Sequence, residues 1–555
     1  MPAVEISKAD LESLLGVELS ERDIYEYIPR LKCEIEELRG DTIVLEVSSD
    51  RPDLFSVEGI ARALRPWLGI KQKEYMVKES NVVGFAERIP QRPFVALAVV
   101  RDVKLNETAL AQVVQLQERI AETYGRKRRK VSIGVYDLDL VKPPIHYVMA
   151  DPGTKYRPLG ETREMTLREV LEKTEKGLLY GHIIASMEMY PVLRDSQGSI
   201  LSLVPILNSE DCKVTASTRN ILIDATGTSL HEVLDAITIM SFNIAERSKT
   251  RLVEVVSVHY PDGLVIKAPR TGTSSIKVAV ADANNLLGLE LDASTIANLL
   301  QKFDYEVVEA GSDKLVVKPP VYRVDVKTWV DVVEDIAISY GYERLGEEAD
   351  HLPRASSAGR IHLIEYFSRR LRDVLTGLGF QEVANYMMSS RRVQLEMMNV
   401  SDKEMFLVEN PRSERFEGLR VWLAPQLLEV IVENARKFSR IAIFEIGDVV
   451  EPDESHETRA RVERHVGMAI SHEKATLTDG LAYVKALLEE LKVKPLFKKG
   501  VVSGLLKERT AIIEACGTEI GFVGELDPVI AYRLELKNPV VIAELNLNKI
   551  ISACL

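Results

Sequence analysis

Carboxylates at helical spacing are the most concentrated chemistry in this chain. In PPVYRVDVKTWVDVVEDIAISYGYERL, residues 319–345, Asp331, Glu334 and Asp335 stand at i, i+3 and i+4. The apolar pattern of VDVVEDIAISYGY predicts an amphipathic helix stopping near Gly341, so the three side chains share one face. Asp325 lies just upstream and can swing onto that face. Four carboxylates so close repel one another unless a cation or a basic partner sits among them. The alternative is a solvated acidic face, partly neutralised by Arg323 and Lys327. A second candidate group lies in NILIDATGT, which reads as a strand. Alternation puts Leu222, Asp224 and Thr226 on one side of it. Ser229 and Glu232 then fit a capping box opening the helix HEVLDAITIMSFNIAER. A strand end meeting a helix N-terminus suits a polar pocket with backbone donors nearby. Equally, Asp224 and Thr226 can do no more than organise the DATGT turn.

The elements around the first acids recur. Leu14-Leu15-Gly16-Val17-Glu18-Leu19 matches Leu286-Leu287-Gly288-Leu289-Glu290-Leu291, and without a gap Glu34 falls on Glu306, Asp41 on Asp313, Arg51 on Arg323 and Asp53 on Asp325. DRPD in the first copy is thus YRVD in the second, and GIARAL parallels DIAISY. Both copies read helix, helix, two strands, helix. Two copies are too few for a solenoid, so they are two small modules of related fold. Only the second has Asp331, Glu334 and Asp335, so the fold itself does not require those acids.

A length of 555 residues predicts three or four domains. Hydrophobic content of 46% and charged content of 28% are those of a soluble globular protein. No apolar run reaches the length of a membrane span, and no signal pattern opens the chain, so a cytoplasmic protein without membrane contact is expected. Cys33, Cys212, Cys516 and Cys554 are widely spaced with no CxxC pair, which predicts reduced thiols rather than a disulfide framework or zinc site. The nine histidines include no HExxH pair. A net charge of −13 excludes a chain that coats nucleic acid with its whole surface. Contact with nucleic acid must be local. The one basic run, Arg126-Lys127-Arg128-Arg129-Lys130, is either a solvated loop or a phosphate-contacting one.

In order, the pattern predicts the first module over 1–80, a polar linker (KQKEYMVKESNVVGFAERIPQRP), and an α+β domain over 85–265. The second module follows over 270–345. After a further linker, GEEADHLPRASSAG, comes a mixed sheet with flanking helices over 358–555. DSQG is a hairpin turn signal between YPVL and SILSLVPI.

DRPDLFSVEGIARAL, NSEDCKVTASTRNILIDATGT, PPVYRVDVKTWVDVVEDIAISYGY, LTGLGFQEVANYMMSS, VENPRSERFEGLRVWLAPQLLEVIVENAR and IAIFEIGDV together resemble the β subunits of phenylalanyl-tRNA synthetases. The likeness spans nearly the whole chain in order. With neither an oligonucleotide-binding insert nor a C-terminal anticodon-binding domain expected, it resembles the archaeal and eukaryotic type. The resemblance implies an α+β multidomain fold. Two small helix/strand modules accompany an α+β editing domain and a C-terminal antiparallel-sheet domain of class II synthetase type without catalytic motifs. FEIGDVVEPDESHETRARVERHVGMAI is similar to the motif 2 strands, but GELDPVIAYRLELKNPVVIAELNL stands where an arginine-bearing, Gly-rich motif 3 would hold ATP. This chain alone is therefore expected not to adenylate.

The resemblance further implies a tetramer of two α and two β chains acting on the phenylalanine tRNA, with ATP bound by the α chain. It implies magnesium held by Asp325, Asp331, Glu334 and Asp335, and a second activity that hydrolyses tyrosine wrongly attached to that tRNA. An apolar phenylalanine pocket rejects an added hydroxyl weakly, whereas a pocket that hydrogen-bonds the hydroxyl selects for it strongly. By motif, Leu193, Ser202, Asp224 and Thr226 correspond to the editing pocket. Asp224 would accept the tyrosine hydroxyl proton, Ser202 and Thr226 would position ester or water, and Leu193 would pack the ring. Tyr136 departs from the family, where many members carry histidine, so no histidine-based step is expected there. Without a Cys/His nucleophile, hydrolysis by positioned water is expected. Two rivals remain at this stage. A free-standing deacylase would not need the last 200 residues, and a non-enzymatic scaffold would not need Asp224 and Thr226.

Overall fold

A computed structural model describes residues 2–345, 359–401 and 403–555. They form two compact units, one on each side of residues 346–358. All but the final glycine of the expected linker GEEADHLPRASSAG therefore lies outside the described residues.

The first unit begins and ends with the two modules, which repeat residue for residue. In the first, strand Ala3–Ser7 is followed by helices Lys8–Leu15 and Glu21–Tyr27, strands Cys33–Arg39 and Thr42–Val47, and helix Val57–Leu64. The second runs Ile276–Ala279, Val280–Leu287, Ala293–Leu300, Glu306–Ala310, Lys314–Lys318 and Trp329–Tyr340. Each module thus opens with a strand that the sequence reading lacked. That strand pairs with the third one, so both sheets have the order first, third, second. The details follow the repeat. Gly16 and Gly288 end the first helix at φ 78° and 70°, a left-handed conformation that glycine adopts without a Cβ clash. Ser20 and Asp292 cap the second helix, and a bulge falls between Ile35 and Glu37 and again between Val307 and Glu309. Lys32 and Asp304 both turn at φ 61°.

Between the modules lies a ten-stranded mixed sheet. Its centre includes Met76–Ala86, parallel to both Leu252–His259 and Ile145–Ala150. About half of the expected polar linker is therefore a strand. Most of its residues stay exposed, which explains the polar composition that hid it. The hairpin at DSQG is present, joining Tyr190–Arg194 to Ile200–Leu203. Helix Leu230–Ala245 is nearly all buried, but its expected capping box does not form. The Ser229 side chain caps nothing, and Glu232 instead pairs with Lys130 at 3.5 Å.

The second unit is a seven-stranded sheet, antiparallel except where Gln381–Glu382 runs beside Ile441–Pro452. Helices Leu363–Gly377, Leu477–Glu490 and Leu547–Cys554 cover one face, and Ala424–Asn434 covers the other. Cys516 and Cys554 form a disulfide with Cα atoms 5.7 Å apart, correcting the expectation of reduced thiols. The cysteines are 38 residues apart in sequence. Only the packing of the last helix against the hairpin turn after Leu505–Ala515 brings them together. Cys33 and Cys212 are free and buried.

Candidate active site

The sheet of the first unit curls until its terminal strands approach. Val131–Asp137 ends one side and Leu207–Asn208 the other, and the Asn208 amide donates across the gap to the Val135 carbonyl at 3.4 Å. A cavity of about 350 Å³ occupies this seam. Helix Glu107–Glu122 walls it with Leu110 and Val114, the segment after Leu203 adds Val204 and Ile206, and Ser202 and Asp224 reach it from the sheet. Its polar rim carries Glu118, Arg128, Lys176 and Lys213.

Asp224 is nearly fully buried and stands directly across from Gly134, with Thr226 across from Ser132 and Leu222 across from Tyr136. The Tyr136 hydroxyl donates to Asp224 Oδ1 at 2.6 Å. Burial pushes the Asp224 carboxyl up to about 7, although the bond from Tyr136 and the charge of Arg92 favour its ionised form. Burial and the facing carboxylate drive the Tyr136 phenol well above its ordinary value, so the phenol keeps its proton. The Ser202 hydroxyl donates to the Leu207 carbonyl at 3.4 Å. Thr226 does not line the cavity. Its hydroxyl accepts from Arg92 Nε at 2.9 Å and its carbonyl from Arg92 Nη2 at 2.6 Å, while Ser132 Oγ sits 3.0 Å from the same hydroxyl. Leu193 faces Ser202 across the hairpin but belongs to the hydrophobic core rather than to the cavity wall. Of the four residues expected here, two border the cavity and two stand behind it. The N-terminus of helix Leu230–Ala245 is not part of the lining either.

Two important residues escaped the sequence reading. Arg92, in the supposed linker, is fully buried and ties together Thr226, Ser132 and the Arg128 carbonyl (3.0 Å). Its only signal was a charged residue directly before an apolar strand. Arg128, from the basic run, turns inward. It donates to the carbonyls of Pro205 and Ile206 and to Glu118 at 2.7 Å. Arg128 and Lys176 hold Glu118 below the usual carboxylate range despite its burial.

The four acids of the second module do not converge as a ligand set. Arg323 donates to both Asp325 and Asp335 at 2.8 Å, and the Tyr305 hydroxyl donates to Asp335 at 2.7 Å. Burial raises Asp335; burial would also raise Asp325, but the Arg323 charge holds it at about 2. Asp331 caps its own helix, accepting from the Thr328 and Lys327 N–H groups at 2.7 and 2.9 Å. Glu334 pairs with Lys32 of the first module at 2.7 Å. Among the described residues no group of three or more His, Cys, Asp or Glu is placed to hold a metal. Magnesium needs near-octahedral oxygen ligation, so these carboxylates, each bound to a protein donor, do not fit it as folded.

Comparison with known proteins accounts for the whole chain. Three family models match in succession: the B3/4 domain over residues 100–256, the tRNA synthetase B5 domain over 276–342, and the phenylalanyl tRNA synthetase beta chain CLM domain over 349–547. They define a multidomain α+β subunit of the aminoacyl-tRNA synthetase class. A phenylalanine–tRNA ligase beta subunit of Thermofilum pendens is 39% identical, covering 100% of this chain and 99% of that one. One of Pyrococcus furiosus is 37% identical over 98% of this chain and 99% of its own length. The crystal structure of an N-terminal fragment of the Pyrococcus horikoshii phenylalanyl-tRNA synthetase beta subunit matches 61% of this chain and all of the fragment, with a TM-score of 0.59 and 40% identity. The chain belongs to the phenylalanine–tRNA ligase beta subunit family. No helix among the described residues is long and apolar enough to cross a membrane.

Proposed function

We propose that this chain is the β half of a phenylalanine–tRNA ligase. In this reading it partners an α chain, in an α2β2 tetramer, that charges the phenylalanine tRNA using ATP and magnesium in the cytoplasm. The seam cavity is the site at which tyrosine misattached to that tRNA is removed. The observation that carries this reading is Asp224, a buried carboxylate at the end of an apolar cavity large enough for an aromatic side chain. Its oxygens can take a phenolic hydroxyl, while Lys176 and Lys213 at the rim suit the phosphates of a tRNA end. With no cysteine in the lining, water attacks the ester carbonyl. The bond to the ribose oxygen breaks, that oxygen takes up a proton, and free tyrosine leaves. Ser202, and Glu118 held ionised by its two cations, are the groups at hand to orient that water. Behind the cavity, Thr226 and Arg92 fix the strand that carries Asp224 rather than touching substrate.

The domains of this reading run 1–80, 85–265, 270–345 and 358–555. The last serves as a scaffold for the partner. Its centre is filled by ion pairs of its own: Arg420 with Glu445, and His465 with Glu544, which also accepts the Leu423 and Ala424 N–H groups at 3.0 and 2.8 Å. Glu463 and Glu544 raise His465 to about 9 against the effect of burial, so this cluster stays ionised at neutral pH. The test is release of tyrosine from tyrosylated phenylalanine tRNA by the purified chain, with and without its α partner. Release is expected. No release even from the assembled tetramer would make the cavity a relic and the chain a scaffold.

A further inference from the structure

The cavity has a feature that its proposed chemistry does not call for. The phenol of Tyr136 already bonds the carboxylate meant to read a substrate's phenol. The arrangement is built in. Tyr136 lies across from Leu222, two pairs along from Asp224, and its ring leans back over Gly134 to reach the acid. A Cβ at position 134 would stand 2.1 Å from Asp224 Oδ1 and 2.2 Å from the Tyr136 hydroxyl, so the missing side chain is what allows the contact. Both partners are buried.

We propose that Tyr136 is an internal competitor for Asp224 and thereby sets how strongly the cavity distinguishes a tyrosyl from a phenylalanyl group. A pocket that selects for a hydroxyl rejects the ligand lacking it because its own buried polar group is then left unpaired. Here that penalty is removed in advance. When a phenylalanyl ring enters, Asp224 keeps its bond to Tyr136. When a tyrosyl ring enters, its hydroxyl must displace Tyr136 or share the carboxylate with it. Both effects narrow the gap between the two ligands. Tyr136 touches the reading group rather than the ester, so it determines specificity and performs no step of hydrolysis.

The inference rests on the reading of the cavity as an editing pocket, and its test separates the two. The full-length chain and Tyr136→Phe are titrated calorimetrically with L-tyrosinamide and L-phenylalaninamide, which keep the side chains and have no ester to cleave. The preference for tyrosinamide should widen severalfold, up to about tenfold, in Tyr136→Phe, since Asp224 is only partly ionised at neutral pH and a typical exclusive hydrogen bond is worth about that factor. Tyr136→Leu, which also removes the ring, should move the preference the same way. An unchanged or reduced preference in both variants overturns the proposal, as does a wild-type chain that binds neither amide. Wild-type chain that binds tyrosinamide but releases no tyrosine from the tRNA ester, with the preference still widening in the variants, would refute the hydrolytic reading and leave the role of Tyr136 standing.

Discussion

Position 62 of the first module and position 334 of the second occupy the same place in the repeat, yet one is arginine and the other glutamate. Their counterparts across the boundary are inverted to match. Lys32 bonds Asp50 at 2.9 Å and Glu334 at 2.7 Å. At the equivalent places Asp304 accepts from Tyr322 at 3.2 Å and is drawn to Arg62, whose guanidinium lies 3.6 Å over the Tyr322 ring. The charges are thus exchanged between the two halves of the boundary, with an ion pair on one side and the Tyr322 ring between arginine and aspartate on the other. At its heart each module keeps one fork: Arg51 on Asp53 and Arg323 on Asp325, with two bonds of 2.8–2.9 Å in each. The added acids of the second module use this frame. Asp335 joins Arg323 and Tyr305, Glu334 crosses to Lys32, and Asp331 caps the helix. The added acids thus serve structure, and of the three only Glu334 reaches across to the other module. In module one a side chain at position 59, the counterpart of Asp331, is excluded, since a Cβ there would sit 1.8 Å from the Asp53 carbonyl oxygen.

The largest effect that can break this comparison is removal of a fork. Arg323→Met leaves two buried carboxylates uncompensated and should cost about 3–5 kcal/mol in urea unfolding. Arg51→Met, which frees only Asp53, should cost less. Equal losses would mean that Asp335 draws nothing from Arg323. A smaller effect sharpens the inverted pair. A double-mutant cycle of Lys32→Met with Glu334→Gln should give a coupling of about 0.5–1 kcal/mol, because Glu334 is part exposed. The cycle of Arg62→Met with Asp304→Asn should give less, because Asp304 is exposed and bonds Tyr322 rather than Arg62. A larger coupling there than between Lys32 and Glu334 would contradict this order.

The repeat was legible because its offset is constant through loops as well as helices. Left-handed turns at Gly16 and Gly288 and caps at Ser20 and Asp292 leave marks in the sequence that need no partner to interpret. The strand Met76–Ala86 was not legible, since its neighbours come from residues far along the chain and most of its side chains face solvent. In the candidate site, strand alternation gave Asp224 and Thr226 one face, and the turn signal at DSQG gave the hairpin on which Leu193 and Ser202 stand. Which of them opens into the cavity depends on how the sheet curls, and that is a property of all its strands together. Arg92 and Tyr136 act on Thr226 and Asp224 across strands, at 134 and 88 residues' separation, where no local pattern reaches. Cys516 and Cys554 meet for the same reason, through packing alone.

On the proposed reading Asp224 selects the tyrosyl group for hydrolysis, while the acids of the second module hold the structure together. The most direct measurement compares tyrosine release from tyrosylated phenylalanine tRNA by tetramers carrying Asp224→Asn or Glu334→Gln. The account predicts a loss of about a hundredfold or more with Asp224→Asn, the scale on which a site's hydrogen bond to a substrate hydroxyl acts, and release within about twofold of wild type with Glu334→Gln, an exposed pair far less costly to break. Equal loss in both, or loss confined to Glu334→Gln, would contradict it.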